Sequence, residues 1–358
     1  MLRHIDQEGR LARVTIAPDT PLPEALKQLD RGGLGVLVLV DGERRVAGLL
    51  TDGDLRRALL AGDQLTGTCR DVATRQPVTA PADIGPGEAL ALMDTARPFE
   101  INQLPLVDGD GRLAGLLLRS DMVSDAELGV AAVVMAGGLG TRLRPLTEHT
   151  PKPMLPIGGR PLMEHIIDQL RQAGIHRVNV TTHYQQDKIA AHFGDGADFG
   201  VDIEYVSEDR PLGTAGALGL LTPGDEPLLV MNGDILTRAD FRSMLAFHRR
   251  EAAAFTVGVR RYEVEVPYGT VRSDGPEVRE IVEKPRFEFL VNAGIYLLEP
   301  AILELIPAGE RFEMTDLIAR VIERGRRVVN YPIVEYWLDI GRPGDYEQAQ
   351  EDAKNGRL

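Results

Sequence analysis

Between Ala131 and Arg160 the chain reads AAVVMAGGLGTRLRPLTEHTPKPMLPIGGR, and this stretch carries the residue types that bind polyphosphate. The apolar run Ala131 to Ala136 has the length and composition of a buried strand of a parallel sheet. Gly137, Gly138 and Gly140 follow at once, then Thr141, Arg142 and Arg144, and later Lys152 between Pro151 and Pro153. Glycines at a strand end let backbone N–H groups approach an anion closely. Arginine adds a planar fork and lysine a point charge, both suited to phosphate oxygens. Two commoner phosphate loops do not fit. No Gly-Lys-Ser/Thr closes the loop as in a P-loop. Leu143 stands where G-x-G-x-x-G needs its third glycine, and Pro145 discourages a helix directly after the glycines. A solvated Gly-rich turn is the competing reading. A lone GxG would favour it, but here the motif runs through GGxGTRLxPLT to PKPM.

Two carboxylates stand where such a site can use them. Asp234 follows an apolar strand and closes Asn232-Gly233-Asp234. Mg²⁺ takes one or two protein carboxylates together with phosphate oxygens and water, which suits Asp234. An ordinary turn aspartate is the alternative. Asp339, in Trp337-Leu338-Asp339-Ile340-Gly341-Arg342-Pro343, ends another strand. It can supply a second carboxylate or serve the dipole of a closing helix. Glu283-Lys284-Pro285 reads by itself as a solvated surface pair, and His165, His176, His183 and His248 lack metal-ligand spacing and read as structural.

The stretch AGGLGTRLRPLTEHTPKPMLPIGGRPLMEH resembles the opening of the sugar-1-phosphate nucleotidyltransferases, and the resemblance runs from about Gly129 to the C-terminus. It implies that Ala136, Gly137, Gly138, Gly140, Thr141 and Arg142 hold the nucleotide, with Gly213 and Thr214 of the Leu212–Gly216 turn beside the nucleoside. It implies a Mg²⁺ on Asp234 and Asp339, the GD and WxDxGxP aspartates. It implies that Lys284 meets the sugar phosphate while Glu283 and Asn292, of the EKP and NAGIY motifs, bind sugar hydroxyls. The implied reaction joins a nucleoside triphosphate and a sugar-1-phosphate to give an NDP-sugar and pyrophosphate. The sugar phosphate is already an anionic nucleophile, so no general base is needed. Positioning and charge neutralisation then carry catalysis, with Arg142, Lys152, Asp234 and Lys284 as the expected catalytic residues.

The elements that must position these residues fall into two groups. Residues 1–127 contain an internal repeat: Val40-Asp41-Gly42 returns as Val107-Asp108-Gly109, Gly48-Leu49-Leu50 as Gly115-Leu116-Leu117, and Asp54 as Asp121, each 67 residues on. Each copy predicts a helix (22–29; 87–93), two strands (35–40 and 46–51; 103–107 and 113–118) and a further helix. This half resembles a tandem cystathionine-β-synthase (CBS) pair with copies at about 1–62 and 63–127. The resemblance implies an adenine or guanine nucleotide near Thr51, Asp54 and Asp121, although Leu118 stands where the second copy should carry Ser or Thr. In the competing reading Thr51 and Asp54 are a helix N-cap in a scaffold. CBS pairs often associate, so a homo-oligomer is expected, with the pair regulatory or oligomerising. A polar bridge from Asp121 to Gly129 joins it to the catalytic half.

Residues 128–358 alternate strand and helix patterns. The expected fold is α/β, with a Rossmann-like, mostly parallel mixed sheet of the nucleotide-diphospho-sugar transferase type, preceded by the α+β CBS pair. Helices are expected over 161–172, 185–193, 301–306, 314–323 and 344–354, and strand from 328 to 340. No left-handed β-helix follows, so no added acetyltransferase activity is expected.

Composition narrows the function classes. A net charge of −14 over 358 residues argues against non-specific binding to nucleic acid or anionic membrane. No apolar stretch approaches the roughly 20 residues of a membrane span, and the N-terminus has no signal-peptide core. Cys69 is the single cysteine, which excludes an intramolecular disulfide and fits the cytoplasm. TRLRPLT with TPKPM is most similar to the mannose-1-phosphate guanylyltransferase branch, and the CBS fusion is similar to glucosamine-1-phosphate guanylyltransferases. GTP with a hexose- or hexosamine-1-phosphate is therefore the expected pair, for cell-surface or glycan sugar biosynthesis. A uridylyl-, thymidylyl- or cytidylyltransferase is the alternative within the class. A catalytically silent nucleotide sensor is the alternative outside it.

Overall fold

Each N-terminal repeat folds as helix against sheet. The computed structural model describes residues 7–62, 65–96, 101–122, 127–222 and 224–358. In the first copy the helix Leu22–Gly32 turns Leu22, Ala25 and Leu29 onto the antiparallel strands Val36–Val40 and Val46–Thr51. The three positions share one helical face. The second copy repeats this with Pro86–Thr95, Gln103–Val107 and Leu113–Leu118. A helix that the sequence reading did not predict, Gln7–Val14, joins the copies. Its Leu11 and Val14 pack with Val36, Val38 and Leu49 of the first copy and Leu113 and Leu116 of the second. The bridge expected over 121–129 falls partly outside the described residues, at 123–126.

The C-terminal half is built on a seven-stranded sheet. Its strands are β1 (Ala131–Met135), β2 (Arg177–Thr182), β3 (Asp202–Ser207), β4 (Leu228–Asn232), β5 (Phe255–Glu265), β6 (Arg286–Leu298) and β7 (Val328–Pro332). Their order is β3-β2-β1-β4-β6-β5-β7, and only β6 runs antiparallel to its neighbours. β1 is apolar on both faces because both are covered. Ala132 and Val134 enter one core and Val133 the other. Helix Leu162–Gln172 covers the first face with Met163, Ile166, Ile167 and Leu170. Helix Phe241–Arg250, also absent from the sequence reading, covers it further along, capped by the Asp240 carboxylate on Ser243 N–H. Helix Met314–Glu323 covers the second face.

Three expectations are corrected. The strand expected over 328–340 is two: β7, and a short Trp337–Asp339 that pairs with Ile235–Thr237 outside the central sheet. The ladder with β5 ends where Ile333 N–H donates to Val259 O at 2.8 Å; beyond it side chains take the backbone groups, Arg260 the carbonyls of Ile333 and Glu335 at 2.9 and 2.7 Å and Glu335 Oε2 the Val334 N–H at 3.0 Å. The helix expected over 301–306 is a 3₁₀ turn, Pro300–Leu305. The sequence predicts strands over 255–260 and 293–298; β5 and β6 run well beyond these bounds and form a projecting arm, tipped by the hairpin of Thr270–Asp274 and Glu277–Val282, with Tyr262, Phe287 and Phe289 exposed.

Candidate active site

The glycine loop leaves β1 at the carboxyl end of the sheet. Ala136 N–H still bonds to Thr181 O at 2.9 Å, and the glycines turn away after it. Gly140 has φ 61°, and a Cβ there would lie 2.9 Å from Thr147 Cγ2. Thr147 is buried and its hydroxyl donates to Gly140 O at 2.8 Å. One threonine thus sets the bend, and only glycine fits it. The 3₁₀ turn Thr141–Leu143 then buries Leu143 and leaves Thr141 and Arg142 exposed.

Asp234 reaches the loop because Gly233 lets the backbone close onto β1. Gly233 N–H donates to Met135 O at 2.9 Å, and a Cβ would sit 2.8 Å from that same oxygen. Lys152 Nζ forms an ion pair with Asp234 Oδ2. Asp339 arrives through the two-stranded ribbon, which sets it opposite Ile235, while Ile340 N–H donates to Asp234 O at 3.0 Å. Around Gly341, the position of a Cβ lies 3.6 Å from Asp339 Oδ1 and 3.7 Å from both Arg142 Nη1 and Asp345 Oδ2. Arg142, Lys152, Asp234 and Asp339 therefore converge from four separate segments. Burial pushes the Asp339 carboxyl above its ordinary range, and repulsion from Asp234 adds to it, against the pull of Lys152 and Arg142. Asp234 Oδ1 is buried with no hydrogen-bond partner. A free carboxylate oxygen beside a second carboxylate fits Mg²⁺, whose remaining ligands are phosphate oxygens and water.

The other expected residues are distributed unevenly. Asn292 lies at the root of the arm, donating to Tyr296 Oη at 2.8 Å and accepting from Gly294 N–H at 3.0 Å. A Cβ on Gly294 would fall 2.6 Å from Asn232 Nδ2, so this turn abuts Asn232-Gly233-Asp234. Glu283 and Lys284 are exposed on the arm, Lys284 at φ 45°. Among the described residues neither bonds to the glycine loop, Lys152 or the two aspartates. The Gly213–Thr214 turn is anchored from behind: Thr214 N–H and Oγ1 donate to Glu313 Oε2 at 3.2 and 3.1 Å.

Sequence reasoning passed over Glu208. It follows β3 directly and is buried, at 8% exposure. Its Oε2 accepts Leu212 N–H at 2.8 Å, and its Oε1 lies 2.6 Å from where a Gly137 Cβ would be. An acid thus stands between the glycine loop and the second Gly-rich turn. Its place at a parallel strand's carboxyl end, four residues before Leu212, was the available signal. His183, expected as structural, borders this group through its Nδ1 on Glu208 O at 2.8 Å.

In the N-terminal half Thr51 and Asp54 form a reciprocal capping box. Asp54 Oδ2 accepts from Thr51 N–H and Oγ1 at 2.8 and 2.7 Å, and Oδ1 accepts from Thr74 Oγ1 at 3.0 Å and Arg57 at 2.5 Å. Asp121 is forked by Arg10 at 2.6 and 3.0 Å. Cys69 is buried, which pushes its thiol up to about 11 and leaves it inert.

Both halves of the chain are similar to known proteins. The nucleotidyl transferase family model matches residues 131–356, and the CBS domain model matches residues 12–61 and 69–126. A mannose-1-phosphate guanylyltransferase of Mycobacterium tuberculosis is 35% identical over 235 residues, covering 63% of this chain and 65% of the relative. A UTP–glucose-1-phosphate uridylyltransferase of Synechocystis is 32% identical over 239 residues, covering 61% of this chain and 62% of the relative. The chain thus spans somewhat less than two thirds of either relative. Among solved structures, a chain described as a glucose-1-phosphate thymidylyltransferase of Bacillus anthracis superposes with a TM-score of 0.52 at 27% identity, covering 63% of this chain and 95% of that one.

Proposed function

The chain belongs to the nucleotidyl transferase family, and from that premise we propose that it transfers a nucleotidyl group from a nucleoside triphosphate to a sugar-1-phosphate, releasing pyrophosphate. The observation that carries the reading is the convergence of Arg142, Lys152, Asp234 and Asp339 beside the glycine loop. Backbone N–H groups of Gly137 to Gly140 suit the triphosphate, and Arg142 suits the leaving pyrophosphate. Lys152 neutralises Asp234 at rest and stands ready for a phosphate oxygen once Asp234 is engaged elsewhere. Asp234 and Asp339 would hold Mg²⁺, which supplies charge neutralisation between the two phosphates. Glu283, Lys284 and Asn292 belong to the sugar side in this reading, and the arm must bring the first two in.

GTP is the favoured donor, and Glu208 supports it. A carboxylate only accepts hydrogen bonds. Guanine offers N1–H and N2–H₂ side by side, whereas uracil and thymine offer one N–H between two carbonyls. The Glu208→Gln variant is expected to lose about 10–100-fold in kcat/KM with GTP, the worth of a charge-assisted hydrogen bond, and to lose less with UTP or dTTP. An equal loss with every nucleotide would remove Glu208 from base selection. In the N-terminal half, the internal engagement of Asp54 and Asp121 supports a scaffold role over ribose binding. Association of copies remains part of the proposal.

The test of the whole reading is pyrophosphate release with Mg²⁺, crossing GTP, UTP, CTP, dTTP and ATP with mannose-, glucose- and glucosamine-1-phosphate. One pair well above the others establishes reaction and substrates together. Silence from the folded protein across the grid would favour a nucleotide-sensing role instead.

A further inference from the structure

The two halves meet where the helix Asp52–Leu60 of the first N-terminal copy lies against the edge strand β7. Arg56 is buried in the contact at 6% exposure, its Nε donates to Pro332 O at 2.8 Å, and its Nη2 donates to Glu335 Oε1 at 2.8 Å. Its guanidinium stacks on the Tyr331 ring, 3.9 Å from the centroid. Val334 packs into the core of the first copy. From the other side Arg260, on β5, holds the carbonyls of Ile333 and Glu335. Residues 332–335 are therefore clamped by two arginines, one from each half.

That clamped segment leads straight into the catalytic centre. Tyr336 O accepts Thr237 Oγ1 and Arg238 N–H, each at 2.9 Å. The next three residues, Trp337–Asp339, pair with Ile235–Thr237, the strand that begins beside Asp234. Glu335 and Asp339 are four positions apart on a tethered chain, so a shift of the clamp has little slack to absorb it before Asp339.

We propose that Arg56 is a positioning residue for nucleotidyl transfer. From the N-terminal half it holds the 332–335 turn in the register that sets Asp339 beside Asp234. The proposal rests on the reading of these two aspartates as the Mg²⁺ carboxylates. Through Arg56 the N-terminal half takes part in building the site.

The test uses the full-length chain. Replacing Arg56 alone strands a buried Glu335 carboxylate, so the informative variant is the double Arg56→Met/Glu335→Gln, which removes the charge pair as a unit. Its fold is checked by circular dichroism and thermal melting. Mn²⁺ binding is measured by titration calorimetry, and the Mg²⁺ concentration for half-maximal pyrophosphate release is measured beside it. A positioning role predicts roughly 10–100-fold weaker metal binding, as for other groups that orient a metal ligand. It also predicts a matching rise in the Mg²⁺ requirement, KM for the nucleoside triphosphate changed far less, and partial recovery in Arg56→Lys. Wild-type metal binding in the folded double variant, with Asp339→Asn abolishing it, overturns the role of Arg56 and leaves the functional reading intact. Metal binding unaffected by Asp339→Asn overturns the reading beneath it and the proposal together.

Discussion

Arg142 and Asp234 contribute differently to the same site, and their variants should separate. Arg142 is exposed on the glycine loop and reaches the neighbourhood of Asp339. If it meets charge that develops on the leaving pyrophosphate, Arg142→Ala costs about 10²–10³ in turnover with little change in melting temperature. Near-wild-type turnover would sink that role. Asp234 is paired with Lys152 and keeps one buried oxygen unpartnered. Asp234→Asn should abolish Mg²⁺-dependent turnover while circular dichroism stays that of the wild type. Retained activity would place the metal elsewhere. Arg142 was readable from the long run of glycines and basic residues after an apolar strand, and Asp234 only through its likeness to the family's GD motif. Glu208 was passed over because its one signal, a place directly after a strand, is weak beside the equally acidic Asp209. Only the fold shows its carboxylate over Gly137.

The glycine loop is a single element held by local geometry. Its bend depends on the left-handed Gly140 and on the Thr147 hydroxyl that caps its carbonyl. Gly140→Ala puts a methyl group at 2.9 Å from Thr147 Cγ2 in a conformation that disfavours side chains. The cost is about 1–2 kcal/mol of backbone strain alone, read as a lower melting temperature and a raised KM for the nucleoside triphosphate. An unchanged KM would show that the loop does not cradle the phosphates. Elements with a clear period or boundary were readable: Gln103–Val107, Leu113–Leu118 and Met314–Glu323 stand where the sequence puts them. The strand expected over 328–340 was misread because its pattern continues through a bend whose backbone groups are taken by the distant Arg260 and by the Glu335 side chain.

At the scale of the whole molecule the two halves share a buried, charge-rich seam. Asp52, Glu335 and Asp240 lie around Arg56, and Asp52 Oδ1 has no hydrogen-bond partner. Burial holds the Asp52 carboxyl well above its ordinary 3.8, and repulsion from Glu335 adds to this against the pull of Arg56. The folded state thus keeps the proton more tightly than the unfolded chain. Its stabilising effect is complete below about pH 3.8 and is lost as pH rises through the folded value. Asp52→Asn should therefore stabilise the protein at pH 7, by about 1–3 kcal/mol as judged from the cost of an unsatisfied buried group. Its advantage in melting temperature should shrink toward pH 4. A constant difference across that range would mean that Asp52 is not the titrating group.

The sequence by itself determined the glycine loop, the tandem repeat and the alternation that builds a mostly parallel sheet. These depend on residues that are neighbours along the chain, where glycine conformation, apolar period and repeat spacing act directly. Tertiary structure alone decided that Asp339 reaches Asp234 on a ribbon outside the main sheet, and that Asp54 and Asp121 spend their oxygens internally. It alone showed that Arg56 clamps a segment 276 residues away. Such pairings are chosen by burial, because a charge removed from water must find its partner wherever the folded chain supplies one.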